Sequence, residues 1–220
     1  MLQSFPRNPA LRVVKTTRPA PQDPNELSED ALIEGLVNRD STLGSVLCQR
    51  LMRVVDGTLY RVLGRREVDH DDLVQAAFEQ IVLSIYRGKF SRECSLVTWA
   101  SAITCNVALH AIRSRRTERK LFDATQDIDR LGPRLSGQNN PEAQLSSRNE
   151  LDRLRYHLSQ MSDKLAEALL LHDVLGCELA ETAKLVGASL AATQSRLVRG
   201  RKELTARIHG ERETYGGEAR

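Results

Sequence analysis

Apolar residues recur at helical spacing along most of this chain, and no stretch shows the alternating pattern of a half-buried strand. Residues 28–120 predict four helices with short connections, which form one bundle. Their predicted extents are a short helix carrying Leu32 to Val37, a long one from Ser41 to Gly64, one from Asp69 to Gly88, and one from Ser95 into the basic tract Arg113 to Lys120. Ser41 and Ser95 are the predicted N-caps of the second and fourth helices.

A second helical unit is predicted over residues 141–209. Pro141 suits the first position of a helix, with Asn140 as its cap. A further helix is expected to start after Ser162 and to end near Gly176, and two more helices follow it.

The remaining stretches lack helical periodicity. Residues 1–27 are basic and contain five prolines, so we expect a flexible extension. Residues 121–140 contain glycine, proline and asparagine and are the predicted linker, and residues 210–220 are a predicted disordered tail. The predicted fold class is therefore all-α, with two small helical domains joined by a flexible linker.

The stretch Glu178–Ile208 has the pattern of a helix-turn-helix. A short helix containing the small residue Ala183 ends at Gly187, which can take the left-handed conformation, and Ser189 can cap the next helix. The alternative is a helical hairpin with a solvated basic face. The agreement of cap, turn length and basic second helix favours DNA binding.

The second helix of this motif begins with short side chains and continues with basic ones. Its start can approach DNA closely, and its arginines suit guanine or the backbone. The predicted contacts to duplex DNA are Ser189, Ala191, Ala192, Thr193, Gln194, Ser195, Arg196, Arg199, Arg201 and Lys202.

Two charged features of opposite sign lie in the first unit. Glu67, Asp69, Asp71 and Asp72 precede an apolar helix, where carboxylates stabilise the helix N-terminus or, alternatively, form a docking surface for a basic protein. The loop from Lys89 to Ser95 and the basic tract suit a nucleic-acid backbone. Trp99 stands among apolar residues, which favours core packing over base stacking.

Composition and charge narrow the function classes. The chain has 220 residues and a formal net charge of +3, so a nucleic-acid surface has to come from local clustering. The four cysteines form no C-x-x-C pair, which favours reduced thiols over a zinc site or disulfides. No apolar run is long enough to span a membrane, and we expect a soluble cytoplasmic protein. No catalytic constellation or phosphate loop is recognisable, so neither an enzyme nor a cofactor is predicted.

Three stretches resemble the extracytoplasmic-function (ECF) class of bacterial sigma factors. Asp69-His-Asp-Asp-Leu-Val-Gln-Ala-Ala-Phe78 is similar to the family's D-x-E-D-L-V-Q-E-x-F helix. Ser95-Leu-Val-Thr-Trp99, followed by Asn106-Val-Ala-Leu109 and the basic tract, resembles S-F-R-T-W…A-R-N-x-A-L-D…R-R-R. Leu169 to Lys202 resembles the family's C-terminal domain. The three matches stand in the family's order and cover roughly Ser28 to Ile208.

The resemblance implies that residues 28–120 form sigma region 2 and residues 141–209 sigma region 4. It implies binding to the β′ clamp helices of core RNA polymerase through Asp69, Asp71, Asp72, Leu73, Gln75 and Phe78. It implies recognition of the minus-ten element by Lys89, Ser91, Arg92, Glu93, Cys94, Ser95, Asn106, His110, Arg113, Arg115 and Arg116. The helix-turn-helix residues then read the minus-thirty-five element, next to the β flap.

The family also implies an anti-sigma partner that holds the two domains together. Gln194 stands where a lysine is frequent in the family, so the promoter sequence is not predicted. The alternative function is a stand-alone helix-turn-helix regulator with a helical sensor domain, which predicts a dimer and tight binding to a palindromic site without polymerase. A helical adaptor that binds only proteins is disfavoured by the helix-turn-helix.

Overall fold

The computed structural model describes the backbone of residues 27–125 and 141–216 and the side chains of residues 27–118 and 150–210. The regular structure in these ranges is entirely helical: α1 (Glu29–Val37), α2 (Ser41–Leu63), α3 (His70–Tyr86), α4 (Leu96–Thr125), α5 (Pro141–Gln160), α6 (Asp163–Leu169), a π-helical turn (Leu170–Val174), α7 (Leu179–Leu185) and α8 (Leu190–Gly216). The predictions for residues 1–26, for residues 126–140 with the Asn140 cap, and for residues 217–220 lie outside the described residues.

The predicted helices are present, with shifts at some ends. α4 continues to Thr125, into the stretch predicted as linker, and α8 continues to Gly216, past the predicted start of the tail at Gly210. The cap of α2 is Asp40 and not Ser41, because the Asp40 carboxylate accepts hydrogen bonds from the backbone N–H groups of Thr42 (2.8 Å) and Leu43 (3.2 Å).

The N-terminal bundle is built around α2, which contacts α1, α3 and α4. Its centre is a set of fully buried leucine and isoleucine side chains: Leu32, Leu47, Leu51, Leu59, Ile81 and Leu96. α1 crosses α2 closely at Gly35, where a Cβ atom would lie only 2.4 Å from the Cβ of Leu43. The predicted cap of α4 is confirmed, since Ser95 Oγ accepts from the N–H of Thr98 at 3.0 Å.

The C-terminal unit contains the predicted helix-turn-helix. Gly187 has φ +59° in the turn between α7 and α8, and Ser189 Oγ accepts from the N–H of Ala192 at 3.2 Å. Ala183 is buried where the two helices meet. α6 does not stop near Gly176 as a regular helix but passes into the π-helical turn before Gly176, which has φ +77°.

The two helical units pack against each other along α4. α5 and α6 lie on α4, and the buried residues of both units form one continuous apolar cluster. On the polar side, Lys184 Nζ of α7 donates to the carbonyl oxygen of Glu93 at 3.1 Å. The C-terminal unit therefore covers part of the N-terminal surface that carries the candidate binding residues.

Candidate nucleic-acid interface

The four carboxylates around the start of α3 have two different environments. Asp69 accepts a hydrogen bond from Arg115 at 2.5 Å, and Glu67 lies 3.6 Å from the same guanidinium group. Asp71 and Asp72 are exposed in the first turn of α3 and form no ion pair with any residue whose side chain is described. Glu67 and Asp69 thus interact with an arginine of the same chain, whereas Asp71 and Asp72 are accessible to a partner.

The rest of the candidate docking helix presents a mixed surface. Gln75 is exposed and donates to Glu79 Oε1 at 3.0 Å, whereas Leu73 and Phe78 are half-buried and pack against the core. The N-terminal carboxylates also favour the helix dipole, so capping and docking are compatible for Asp71 and Asp72.

His70 anchors the start of α3, which the sequence alone did not reveal. Its ring is buried, and its Nε2 lies 2.8 Å from the Asp56 carboxylate of α2. The same carboxylate binds Arg66 at 2.6 Å. The hydrogen bond from His70 holds the pKa of Asp56 below its usual value, with the positive charge of Arg66 acting in the same direction.

The loop between α3 and α4 is held by its aromatic residues and one ion pair. The Phe90 and Trp99 rings lie 5.0 Å apart, which confirms the packing role predicted for Trp99. Arg92 has φ +60° and pairs with Asp30 at 3.1 Å. The candidate loop residues that remain exposed are Lys89, Ser91, Arg92, Glu93 and Ser95, while Cys94 is half-buried.

Polar side chains on α4 that were assigned to the minus-ten element contact the C-terminal unit. Asn106 donates to Glu167 Oε1 of α6 at 2.8 Å. Arg113 pairs with the Asp163 carboxylate and donates to the carbonyl oxygen of Met161 at 3.1 Å.

The other assigned α4 residues differ in exposure. Arg116 donates to the carbonyl oxygen of Ser159 at 3.2 Å and is partly covered, while His110 is exposed. Arg115 faces the acidic cluster described above. The α4 surface is therefore partly covered by α5 and α6 in this arrangement, and a ligand that binds all of it has to displace them.

The start of α8 presents a polar surface with one exception. Ala191, Gln194, Ser195, Arg199 and Lys202 are exposed, and Ala192 and Arg196 are half-buried. Thr193 is fully buried, so its assignment as a DNA contact is wrong: it shares the inward face with Leu197, one helical turn later.

Arg201 on α8 is already engaged by an acidic residue. Its Nε and Nη2 atoms donate to the two oxygens of Asp173, at 3.0 and 2.5 Å. The pair is exposed, and such pairs contribute little net free energy. Arg201 therefore remains able to exchange Asp173 for a phosphate.

The cysteines are thiols held away from ionisation. Burial raises the pKa of Cys48, Cys94 and Cys177, and it raises the pKa of the fully buried Cys105 most strongly. The described side chains contain no group of three or more histidine, cysteine or acidic residues arranged to hold a metal ion. None of the helices in the described ranges has the length and apolar character needed to cross a membrane.

Comparison with known proteins gives two matches to family models. The model described as Sigma-70 region 2 matches residues 47–118, and the model described as Sigma-70 region 4 matches residues 151–204. The first match covers α2 to α4 together with the loop before Trp99, and the second covers the helix-turn-helix.

Two curated relatives and one solved structure are also similar. RNA polymerase sigma factor CnrH of Cupriavidus metallidurans is 28 % identical over 155 residues, covering 70 % of this chain and 80 % of CnrH. The ECF RNA polymerase sigma-E factor of Haemophilus influenzae is 26 % identical over 188 residues, covering 83 % of this chain and 96 % of the relative. The structure of CnrH in complex with the cytosolic domain of CnrY is 20 % identical, covers 82 % of this chain and 96 % of that one, and has a TM-score of 0.47.

The two region matches together span more than half of the chain, and they follow each other in the order expected from the motifs at Asp69–Phe78, Ser95–Trp99 and Leu169–Lys202. The matching helices are those that carry the exposed acidic turn of α3 and the exposed polar start of α8. This chain therefore belongs to the sigma-70 family of RNA polymerase sigma factors, in its ECF group.

Proposed function

We propose that this sigma factor divides promoter recognition among three surfaces: the first turns of α3 bind core RNA polymerase, the loop at residues 89–95 with α4 binds the minus-ten element, and α8 binds the minus-thirty-five element. The observation that carries this proposal is the state of the acidic turn. Asp71 and Asp72 are exposed and unpaired among the described side chains, on a helix that matches sigma region 2.

The polymerase surface consists of Asp71, Asp72 and Gln75 at its centre, with Leu73 and Phe78 at its buried edge. Carboxylates fit the basic side chains of a helical partner, and the β′ clamp helices are the proposed partner. Asp69 contributes indirectly, because Arg115 holds it and thereby joins the basic part of α4 to the start of α3.

The minus-ten surface combines the exposed loop with the polar side of α4. Extruding a base from the stack requires a few kcal/mol, which a loop pocket and cationic side chains along the strand can supply. We assign the loop residues and Asn106, His110, Arg113, Arg115 and Arg116 to this surface. Asn106 and Arg113 reach DNA after Glu167 and Asp163 release them.

The minus-thirty-five surface is the start of α8 without Thr193. Ser189 caps the helix, the small residues allow close approach, and the cationic residues Arg196, Arg199, Arg201 and Lys202 bind bases or phosphates. The β flap of the polymerase is the proposed protein contact of this C-terminal unit.

We call the packing of α5 and α6 on α4 the closed packing. It covers part of the proposed minus-ten surface, as expected for a factor that binds promoter DNA only together with polymerase. An anti-sigma partner of the kind that the family implies would act by stabilising this packing. We also propose that the protein is cytoplasmic and has no catalytic activity of its own, since sigma factors are generally non-enzymatic.

In vitro transcription with purified core polymerase and a promoter library tests the proposal. The wild-type chain is expected to form a complex with core polymerase and to initiate transcription at library promoters that share one minus-ten and one minus-thirty-five element. Failure to form any complex with core polymerase would refute the sigma function. Replacing Asp71 and Asp72 by Ala is expected to weaken core binding without changing the helical circular dichroism spectrum. Glu34→Ala, an exposed carboxylate on α1, is the matched control.

The same preparation discriminates the alternative of a stand-alone regulator. That function predicts a dimer and nanomolar binding to a palindromic site in the absence of polymerase. A monomer that binds promoter DNA only with polymerase excludes it.

A further inference from the structure

A cavity of about 250 Å³ lies at the junction of the two helical units, between the end of α2, the basic part of α4, and α5. Its wall is dominated by charged side chains from both units: Arg65, Arg115, Arg116, Arg155, Glu67 and Asp152. Asp69 also binds one of these guanidinium groups, that of Arg115, so four guanidinium groups face three carboxylates and one positive charge remains in surplus. This composition suits an anion with several acceptor oxygens.

The carboxylates hold three of the four guanidinium groups in place around the cavity. Glu67 binds Arg65 at 2.6 Å and lies 3.6 Å from Arg115, and Asp152 binds Arg155 at 2.9 Å and Arg65 at 3.3 Å. Arg65 thereby links the N-terminal unit to α5. Each arginine has more N–H groups than these contacts use, since a guanidinium group carries five.

Arg116 contributes a donor that has no acceptor. Its Nε atom is buried, and among the described residues no hydrogen-bond partner lies within reach. The guanidinium group is 5.9 Å from the centroid of the Tyr156 ring, which also lines the cavity and fixes one face of the group. A buried N–H without a partner is unfavourable, and an oxyanion in the cavity would supply the missing acceptor.

Arg155 is fitted to its position by the backbone of α2. Its Nε donates to the carbonyl oxygen of Val62 at 3.2 Å, and a Cβ atom on Gly64 would lie 1.8 Å from Nη2. Glycine at position 64, with φ +70°, thus makes the room that this guanidinium group occupies. The side chain of Arg155 is 15 % exposed, so its charge is less screened than that of a surface arginine.

We propose that this cavity binds a phosphate or pyrophosphate group, held between guanidinium groups of both helical units. The volume admits a pyrophosphate, and the cavity is open to solvent, so a nucleoside triphosphate can place phosphate groups in it while its nucleoside stays outside. Because the ligand contacts both units, its binding favours the closed packing over any opened arrangement. None of the candidate polymerase contacts on α3 other than Asp69, which binds Arg115, is adjacent to these groups.

Isothermal titration calorimetry with the full chain at about 0.15 M salt tests this proposal, a salt level at which non-specific surface attraction is largely screened. Pyrophosphate, ATP and adenosine are the three probes. We expect saturable one-to-one binding of pyrophosphate, and no binding of adenosine. If both pyrophosphate and ATP bind, the natural ligand is a nucleotide; if pyrophosphate binds and ATP does not, the natural ligand is the free anion. Both outcomes support the site.

Arg155→Gln and Arg65→Gln are each expected to raise the dissociation constant for pyrophosphate at least tenfold. Arg61→Gln removes the same charge from an exposed position on α2, away from the cavity, and is expected to leave the constant unchanged. Arg65 is half-exposed, so its variant folds even if the Arg155 variant does not, which circular dichroism checks. Absence of binding, non-saturating heats, or equal affinity in the Arg65 and Arg61 variants would overturn the proposal.

Competition with DNA provides a further discrimination. Arg115 and Arg116 line the cavity and are also proposed minus-ten contacts, so single-stranded DNA is expected to compete with pyrophosphate for them. Arg65 lines the cavity but is not a proposed DNA contact, so an equal loss of DNA affinity and pyrophosphate affinity in the Arg65 variant would make the cavity part of the promoter surface and overturn the proposal. If the Arg65 variant loses pyrophosphate affinity but keeps its DNA affinity, the anion site is distinct from the DNA contacts and the proposal is supported.

Discussion

Releasing the C-terminal unit from α4 should increase DNA binding by the free chain. Two contacts between side chains join the minus-ten residues of α4 to α6, in addition to the donation of Arg113 and Arg116 to carbonyl oxygens: Glu167 accepts from Asn106, and Asp163 pairs with Arg113. The double variant Asp163→Ala and Glu167→Ala removes both partners while leaving every proposed DNA contact in place.

The expected magnitude follows from the exposure of each group. Asp163 is 78 % exposed and Arg113 20 %, so this pair is screened by solvent and contributes about 0.5 kcal/mol. The Asn106–Glu167 hydrogen bond is part-buried and contributes about 1 to 1.5 kcal/mol. Together they favour the closed packing by about 1.5 to 2 kcal/mol, which corresponds to roughly a ten- to thirtyfold change in the ratio of closed to open chains.

Fluorescence anisotropy with a single-stranded oligonucleotide carrying the selected minus-ten element measures the effect. If closed chains dominate, the apparent dissociation constant of the free double variant falls by about the same factor, because the binding-competent fraction rises in proportion. Glu34→Ala is again the matched control. Unchanged affinity in a correctly folded double variant would show that these contacts do not limit access to α4.

Three further predictions concern stability and reactivity. Gly64→Ala should lower the melting temperature, since the residue has φ +70° and its new Cβ would collide with Arg155. Replacing Arg155 by Ala in the same chain should restore part of the loss, and an unchanged melting temperature for Gly64→Ala alone would contradict the close approach of Arg155 to Gly64. Asp56→Asn should destabilise the chain at neutral pH but less in acid, which chemical denaturation at about pH 7 and pH 3 measures. The pKa of Asp56 is lowered in the folded state, so the carboxylate's contribution to the free energy of unfolding is fully present above the unfolded-state pKa of about 3.9 and is lost as the pH falls through the folded-state pKa. Cys105 should resist alkylation in the native chain at pH 8 and react only after unfolding, whereas Cys48, Cys94 and Cys177 should react slowly at pH 8 and at rates that increase with pH. Mass spectrometry that finds Cys105 of the native chain labelled as fast as Cys48 would refute its burial.

Local signals in the sequence were sufficient to predict the helices and the helix-turn-helix. Gly187 and Ser189 act within three residues of each other, and their roles follow from backbone conformation and capping alone. The choice between Asp40 and Ser41 as the cap of α2 was not decidable in the same way, because both residue types cap well and only the actual backbone geometry selects one. The buried position of Thr193 was predictable, since it precedes Leu197 by four residues on the same helix face.

Contacts between distant parts of the chain were beyond the reach of sequence patterns. The His70–Asp56 hydrogen bond joins two helices whose relative rotation depends on the whole core. The contacts of Asn106 and Arg113 with α6 depend on how the two helical units pack against each other. The residues next to Asn106 and Arg113 in the sequence give no indication of this packing. Charge pattern alone also left capping and docking as competing explanations of the acidic cluster, and it gave no sign that Glu67 and Asp69 pair with Arg115 instead.

The contacts that cover the α4 surface are of a kind that DNA can replace. Arg113 and Arg116 donate to carbonyl oxygens and a solvent-exposed carboxylate, and phosphate oxygens offer the same acceptors with more negative charge. The closed packing therefore satisfies these donors without holding them strongly, and the exchange leaves no buried charge unpaired. The apolar part of the junction behaves differently, since Leu158 and Met161 of the C-terminal unit belong to the continuous buried cluster, and separating the units exposes them to water. Opening the chain therefore costs free energy at this apolar contact in addition to the polar contacts. A partner that opens the chain has to supply apolar surface for the C-terminal unit, whereas promoter DNA alone can replace only the polar contacts.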